Sequence, residues 1–168
     1  MPERTRNSHT RQVIREAADG SSQGRLHFGQ IVGMLLQAGV ESYAADYRAR
    51  RTTYYLPDGE ALDVDTPMPD VDIAPDFDAA ALQTAIRGAQ QGVVMYPDFK
   101  KLSRQAGCIG YTVWIAGRHV SYYGRKGEIH VERFPDLWRS RKLTLVSLTE
   151  ADPSPAGIFV TLYAAVGR

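Results

Sequence analysis

One cysteine, Cys108, stands among 168 residues, so no disulfide can form within the chain and the fold must rest on packing. No run approaches the roughly 18–20 consecutive apolar residues of a membrane-spanning helix. Residues 1–12 are polar and charged and lack the apolar core of a secretory leader. These absences predict a soluble, cytoplasmic chain without a membrane role. The sequence also lacks a phosphate-binding glycine loop, a CxxC pair, an HExxH and a GxSxG, which removes the best-marked nucleotide, zinc and acyl-transfer chemistries. At 43% hydrophobic residues the chain can still bury a core of ordinary size.

Positive charge is missing from one long stretch. No Lys or Arg occurs between Arg51 and Arg87, while Asp58, Glu60, Asp63, Asp65, Asp70, Asp72, Asp76 and Asp78 do. Residues 1–84 carry 8 basic and 13 acidic residues, and residues 85–168 carry 12 and 6, so a net charge of +1 conceals halves of −5 and +6. Opposed fields favour packing of the halves or self-association over a nucleic-acid footprint. The pairs Tyr54-Tyr55 and Tyr122-Tyr123 resemble the aromatic strands of RNA-binding sheets. No basic-aromatic recognition pattern accompanies them, so nucleic acid is not expected as a partner.

What is present is a duplication. Shifting the sequence on itself by 68 residues aligns 10–67 with 78–135 without a gap and gives 14 identities in 58 positions. The identities include Gln37-Ala38-Gly39 with Gln105-Ala106-Gly107, Tyr43 with Tyr111 and Arg50 with Arg118. Tyr54-Tyr55 also falls on Tyr122-Tyr123, Gly59-Glu60 on Gly127-Glu128 and Pro67 on Pro135.

Each unit reads as ααβββ. The first helix is expected to start at an N-cap, Thr10 or Asp78, with apolar residues following at helical spacing. The second, over 26–38 or 96–106, ends at Gly39 or Gly107, suited to the left-handed position that closes a helix. Three short strands follow, at 42–47, 52–56 and 60–64 in the first unit and at 111–115, 118–123 and 128–134 in the second.

The predicted fold is therefore α+β, two tandem ααβββ repeats with an antiparallel sheet and helices on one side, forming one domain. Residues 1–9 read as a flexible lead-in, 68–77 as an acidic, Pro-rich linker and 136–168 as a C-terminal extension with a β-hairpin at 143–148 and 158–166. The last of these segments is apolar on both faces and uncharged, which predicts a homodimer with the tail in or near its interface.

Chemistry concentrates in the last hairpin of the second unit. A two-residue loop at Arg125-Lys126 pairs Tyr123 with Glu128, Ser121 with His130 and His119 with Glu132, all on one face, and puts Val120, Tyr122, Ile129 and Val131 on the core face. Most solvated sheet faces are polar, so an ordinary surface is the plain reading. The sharper one makes His119, His130 and Glu132 a divalent-metal set, or a His–Glu pair a general base with its orienter. Arg118 and Arg125, beside tyrosines, are candidates for an anionic ligand. Together with Tyr123 and Glu128 these complete the set of candidate ligand-binding residues. Cys108, following Gly107, reads as a small buried hydrophobe rather than a nucleophile.

The run Tyr96-Pro97-Asp98-Phe99, Ala106-Gly107-Cys108-Ile109-Gly110-Tyr111, Gly117-Arg118, Tyr122-Tyr123-Gly124-Arg125 and Glu128-Ile129-His130-Val131-Glu132-Arg133-Phe134-Pro135 resembles the YbcV-like family. These are small bacterial and prophage-borne proteins often labelled "phage envelope protein". The resemblance spans roughly 10–135 and is densest over 117–135. It implies no assigned activity, cofactor or catalytic residue. The functional expectation is a non-enzymatic cytosolic module binding a protein or a small anionic ligand without a cofactor. The alternative is a metal-binding or acid/base enzyme built on the His/Glu cluster.

Overall fold

A computed structural model describes residues 2–135. The elements run α1 (Pro2–Ser22), α2 (Phe28–Gln37), β1 (Ser42–Asp46), β2 (Arg51–Tyr55) and β3 (Ala61–Asp65), then α3 (Ala79–Gln90), α4 (Tyr96–Gln105), β4 (Cys108–Trp114), β5 (His119–Gly124) and β6 (Ile129–Arg133). The order ααβββ thus occurs twice, in a mixed helix and antiparallel-sheet architecture. The unit that carries these elements ends at Arg133. The hairpin expected at 143–148 and 158–166, and the dimer interface expected there, lie outside the described residues.

The six strands form one antiparallel sheet in the order β3-β2-β1-β4-β5-β6. The halves meet at β1 and β4, paired from Ser42 opposite Trp114 to Asp46 opposite Gly110, centred on Ala44 opposite Thr112. Under a 68-residue shift this register maps onto itself. The flanking bonds obey the same rule: Tyr47 N–H donates to the Ile109 carbonyl at 3.0 Å, and Ile115 N–H to the Glu41 carbonyl at 3.2 Å. Gly110 sits close against β1, where a Cβ would collide with the Ala45 carbonyl oxygen.

Local chemistry explains most boundaries. Asp78 caps α3 by accepting from the Ala81 N–H at 3.0 Å. Gly39 and Gly107 close α2 and α4 at φ +84° and +82°, where a side chain strains the backbone. Thr10 differs from the expected cap. It lies within α1, is buried, and its hydroxyl donates to the Ala38 carbonyl at 3.0 Å. Residues 2–9, read from sequence as a flexible lead-in, are the first turns of α1.

The large buried strand side chains share one face of the sheet, the face on which Phe99 of α4 packs. There the two halves merge their tyrosines: Tyr43, Tyr47 and Tyr54 from the first, Tyr96, Tyr111 and Tyr122 from the second. Tyr43 stacks on Tyr54 at 5.3 Å between ring centroids, and Tyr111 and Tyr122, 68 residues on, lie 5.6 Å apart. Phe99 of α4 packs on Tyr111 and Tyr122. Buried phenols need partners, and Tyr47 finds one in Ser103, 2.8 Å away.

The acidic linker is held by cations of the second half. Lys100 Nζ donates to the Pro67 carbonyl, Arg104 Nε to Val71 at 2.6 Å and Arg125 Nη2 to Ile73 at 3.3 Å, and Lys126 pairs with Asp76 at 3.1 Å. Lys100 is an unexpected core residue, 4% exposed, its ammonium 4.9 Å above the Tyr96 ring and its pKa lowered by burial.

Candidate functional site

The hairpin β5–β6 decides which side chains meet. Its register is Tyr123 opposite Ile129, Tyr122 opposite His130, Ser121 opposite Val131, Val120 opposite Glu132 and His119 opposite Arg133. This corrects the expected pairing by one residue. The cause is the turn: three residues, Arg125-Lys126-Gly127, span the Gly124 N–H to Glu128 carbonyl bond of 2.9 Å. Gly127 takes the left-handed position at φ +85°, the arrangement of a three-residue hairpin loop. The hairpin β2–β3 does the same with Pro57-Asp58-Gly59, closed by Leu56 N–H on the Glu60 carbonyl at 2.9 Å, with Gly59 at φ +87°.

A one-residue slip exchanges faces, so the six-residue cluster is divided. His130 and Glu132 turn to the helix-covered side, where His130 Nε2 and Glu132 Oε2 are 3.0 Å apart, each side chain 19% exposed. The His130 ring lies 6.4 Å from that of Tyr122, whose pKa is raised by burial first and by Glu132 among nearby charges. His119 faces the other way, its Nδ1 3.0 Å from the Gly117 carbonyl and its ring 6.3 Å from Trp114. The set His119, His130 and Glu132 is therefore not brought together. Among the described residues no group of three His, Cys, Asp or Glu is placed to hold a metal ion.

The other candidates scatter. Arg118 occupies the β4–β5 turn at φ +60°, the counterpart of Arg50 at +57°. Its Nη2 is buried and makes no hydrogen bond among the described residues. Arg125 is spent on the linker. Glu128 accepts from the Lys126 N–H at 2.9 Å and so serves the turn. Tyr123 donates to Thr112 Oγ1 at 3.3 Å on the open face. Cys108 is fully buried and its thiol pushed up to about 11 by desolvation, which makes it inert at neutral pH.

What the slip brings together is different. On the helix-free face of the second half stand Trp114 (41% exposed), Tyr123, Ile129 (62%) and Val131 (53%), with Ser121 beneath them accepting from Trp114 Nε1 at 3.3 Å. By register, Ile129 adjoins Tyr123 and Val131 adjoins Ser121, so the apolar groups are contiguous. The same face of the first half carries Asp46, Arg51, Thr53, Asp63 and Asp65, with Arg51 3.7 Å from Asp63. Sequence reasoning assigned Ile129 and Val131 to the core. The signal that places them correctly was available in the 68-residue shift, which puts Gly127 on Gly59 and so requires equal loops.

Residues 51–133 match the family described as "Protein of unknown function (DUF1398)". Uncharacterised proteins of Mycobacterium bovis and of two Mycobacterium tuberculosis strains are 30% identical over 108 residues. The aligned stretch is 64% of this chain and 66% of each relative, just under two thirds of their length. The chain is thus similar to an uncharacterised family, whose descriptions name no activity.

Proposed function

We propose that the protein is a non-enzymatic, cytoplasmic module that binds another protein through the helix-free face of its sheet. The observation that carries this reading is the exposed strip Trp114, Tyr123, Ile129 and Val131 on one face of the sheet. Small-molecule sites are concave, whereas contiguous exposed apolar groups with aromatic anchors mark protein contacts. In the same reading the chain is a tandem duplication, on the strength of the repeated element order and the self-mapping seam. The finer likeness to YbcV-like, prophage-type proteins rests on the motif run through 96–135.

The test is affinity capture from the source cell's lysate with the full chain and with an Ile129→Asp, Val131→Asp variant. Both positions are more than half exposed, so stability should change by under about 0.5 kcal/mol per site. A partner captured by the wild type should be lost with the variant while an Arg15→Glu control on α1 retains it. A partner held equally by all three would place binding elsewhere.

The His130–Glu132 pair supports a second reading, an acid/base or metal function at the rim of the covered face. Metal analysis of the purified protein tests it. A stoichiometric transition metal lost on His130→Ala would favour it over the binding module.

A further inference from the structure

Among the described residues the sheet has two edges, β3 and β6, counterparts in the fold and opposites in chemistry. At β6 the Gly124–Glu128 bond sets the alternation of the ladder. His130 and Glu132 therefore turn their backbone groups to β5, and Ile129, Val131 and Arg133 turn theirs outward. At β3 the Leu56–Glu60 bond does the same and leaves Ala61, Asp63 and Asp65 facing out. Such edges are templates for another strand unless something guards them.

We infer that β6 is a self-association edge, whose occupant is β6 of a second copy of this chain, antiparallel about Val131. The register supports this by its own complementarity. Centring on Val131 places Val131 opposite Val131, Ile129 opposite Arg133, and His130 of each copy opposite Glu132 of the other. The two His–Glu pairs fall at non-hydrogen-bonded positions, where facing side chains approach most closely. The edge β3 forbids the equivalent contact: centring on Asp63 sets Asp63 against Asp63 in a stretch that also carries Asp65. Pairing β3 with β6 antiparallel over their full lengths sets Asp63 against Val131 and Asp65 against Ile129, which gives the carboxylates no partner. Of these three full-length pairings, the twofold contact of β6 alone places complementary side chains opposite each other, and such a contact closes on two copies.

The side chains that specify this contact, His130 and Glu132, lie on the covered side. The apolar strip of the proposed function lies on the open side, where Ile129 and Val131 of both copies would form one continuous surface. Changes at His130 and Glu132 leave that strip intact, so loss of the edge contact alone can be told from loss of the strip, whereas Val131→Asp would disturb both.

A five-residue edge is a small interface, so association belongs to the weak class, to be followed by sedimentation equilibrium up to about 0.5 mM. The full-length wild type should rise from 18.6 kDa towards twice that mass. Two variants test the register: His130→Glu, which leaves two acids, and His130→Lys with Glu132→Lys, which leaves two bases. Each alone should stay at the single mass, and their equimolar mixture should regain the doubled mass, which repair within one chain cannot produce. Thermal melts of each variant verify folding. The inference is overturned by a wild type that stays at the single mass, by like-charged variants that dimerise as well as wild type, or by a mixture no heavier than its components. It is equally overturned if doubling appears only after removal of 136–168, since the edge is then occupied within the chain.

Discussion

The hairpins β2–β3 and β5–β6 share a loop length, a left-handed glycine, a register and a place at a sheet edge, and differ in almost every open-face side chain. Both keep a tyrosine there, Tyr55 and Tyr123, but around it one presents Arg51, Asp63 and Asp65 and the other His119, Val131 and Arg133. The backbone is held by features that tolerate no exchange, while the outward positions are free to specialise. The seam shows the same division beneath the surface. Tyr47 meets Ser103 across it, and the counterparts 68 residues away are Ile115 and Leu35, all buried. Positions 47 and 103 hold a large and a small residue, whereas positions 115 and 35 both hold residues of middle size.

The sharpest way to break the comparison is alkaline pH, because both halves feed one tyrosine cluster. Burial raises the pKa of Tyr43, Tyr47, Tyr54, Tyr96, Tyr111 and Tyr122. Above the ordinary value near 10 the unfolded chain releases protons that the folded chain keeps, so stability is whole below that value and lost as pH rises past it. Six phenols at about 1.4 kcal/mol each cost roughly 8 kcal/mol by pH 11. Urea unfolding at pH 8 and pH 11, followed by circular dichroism, should show that loss in one cooperative transition. Two separated transitions would mean that the halves are independent.

The closing glycines sharpen it. At Gly39 a Cβ meets nothing within 4 Å, whereas at Gly107 it would strike the Asp76 carbonyl. Gly39→Ala should cost about 1 kcal/mol, the backbone term, and Gly107→Ala about 3 kcal/mol or more, since the linker must also move. Denaturant midpoints of the pair measure the difference.

The smallest effect concerns the buried pairs. Ser103→Leu alone overpacks Tyr47 and should cost about 1–3 kcal/mol. Adding Tyr47→Ile, which installs the residue types of positions 115 and 35, should return about 1 kcal/mol, a coupling a double-mutant cycle resolves.

Most of this architecture was legible in the 68-residue self-alignment of the sequence. Element order, the C′ glycines and the Asp78 cap follow from local chemistry that the sequence states directly. The hairpin register did not follow from the strand alone, because alternation fixes which residues share a face and leaves open which face is buried. The loop settles that, because Gly127 closes a three-residue turn, whereas the expected pairing rests on a two-residue turn at Arg125-Lys126. Thr10 and Lys100 were illegible for another reason. Their partners, the Ala38 and Pro67 carbonyls, lie 28 and 33 residues away, and no local pattern marks a hydroxyl or an ammonium destined for a distant carbonyl.

The linker clamp has a bearing on how two like halves stay in one molecule. Halves that present matching seams can trade places between chains if the segment joining them opens, giving entangled pairs in place of the intended fold. Lys100, Arg104, Arg125 and Lys126 each grip that segment at a different point, so releasing it means stripping several donors at once rather than swinging one hinge. The four side chains act as a latch that keeps each half married to its own neighbour.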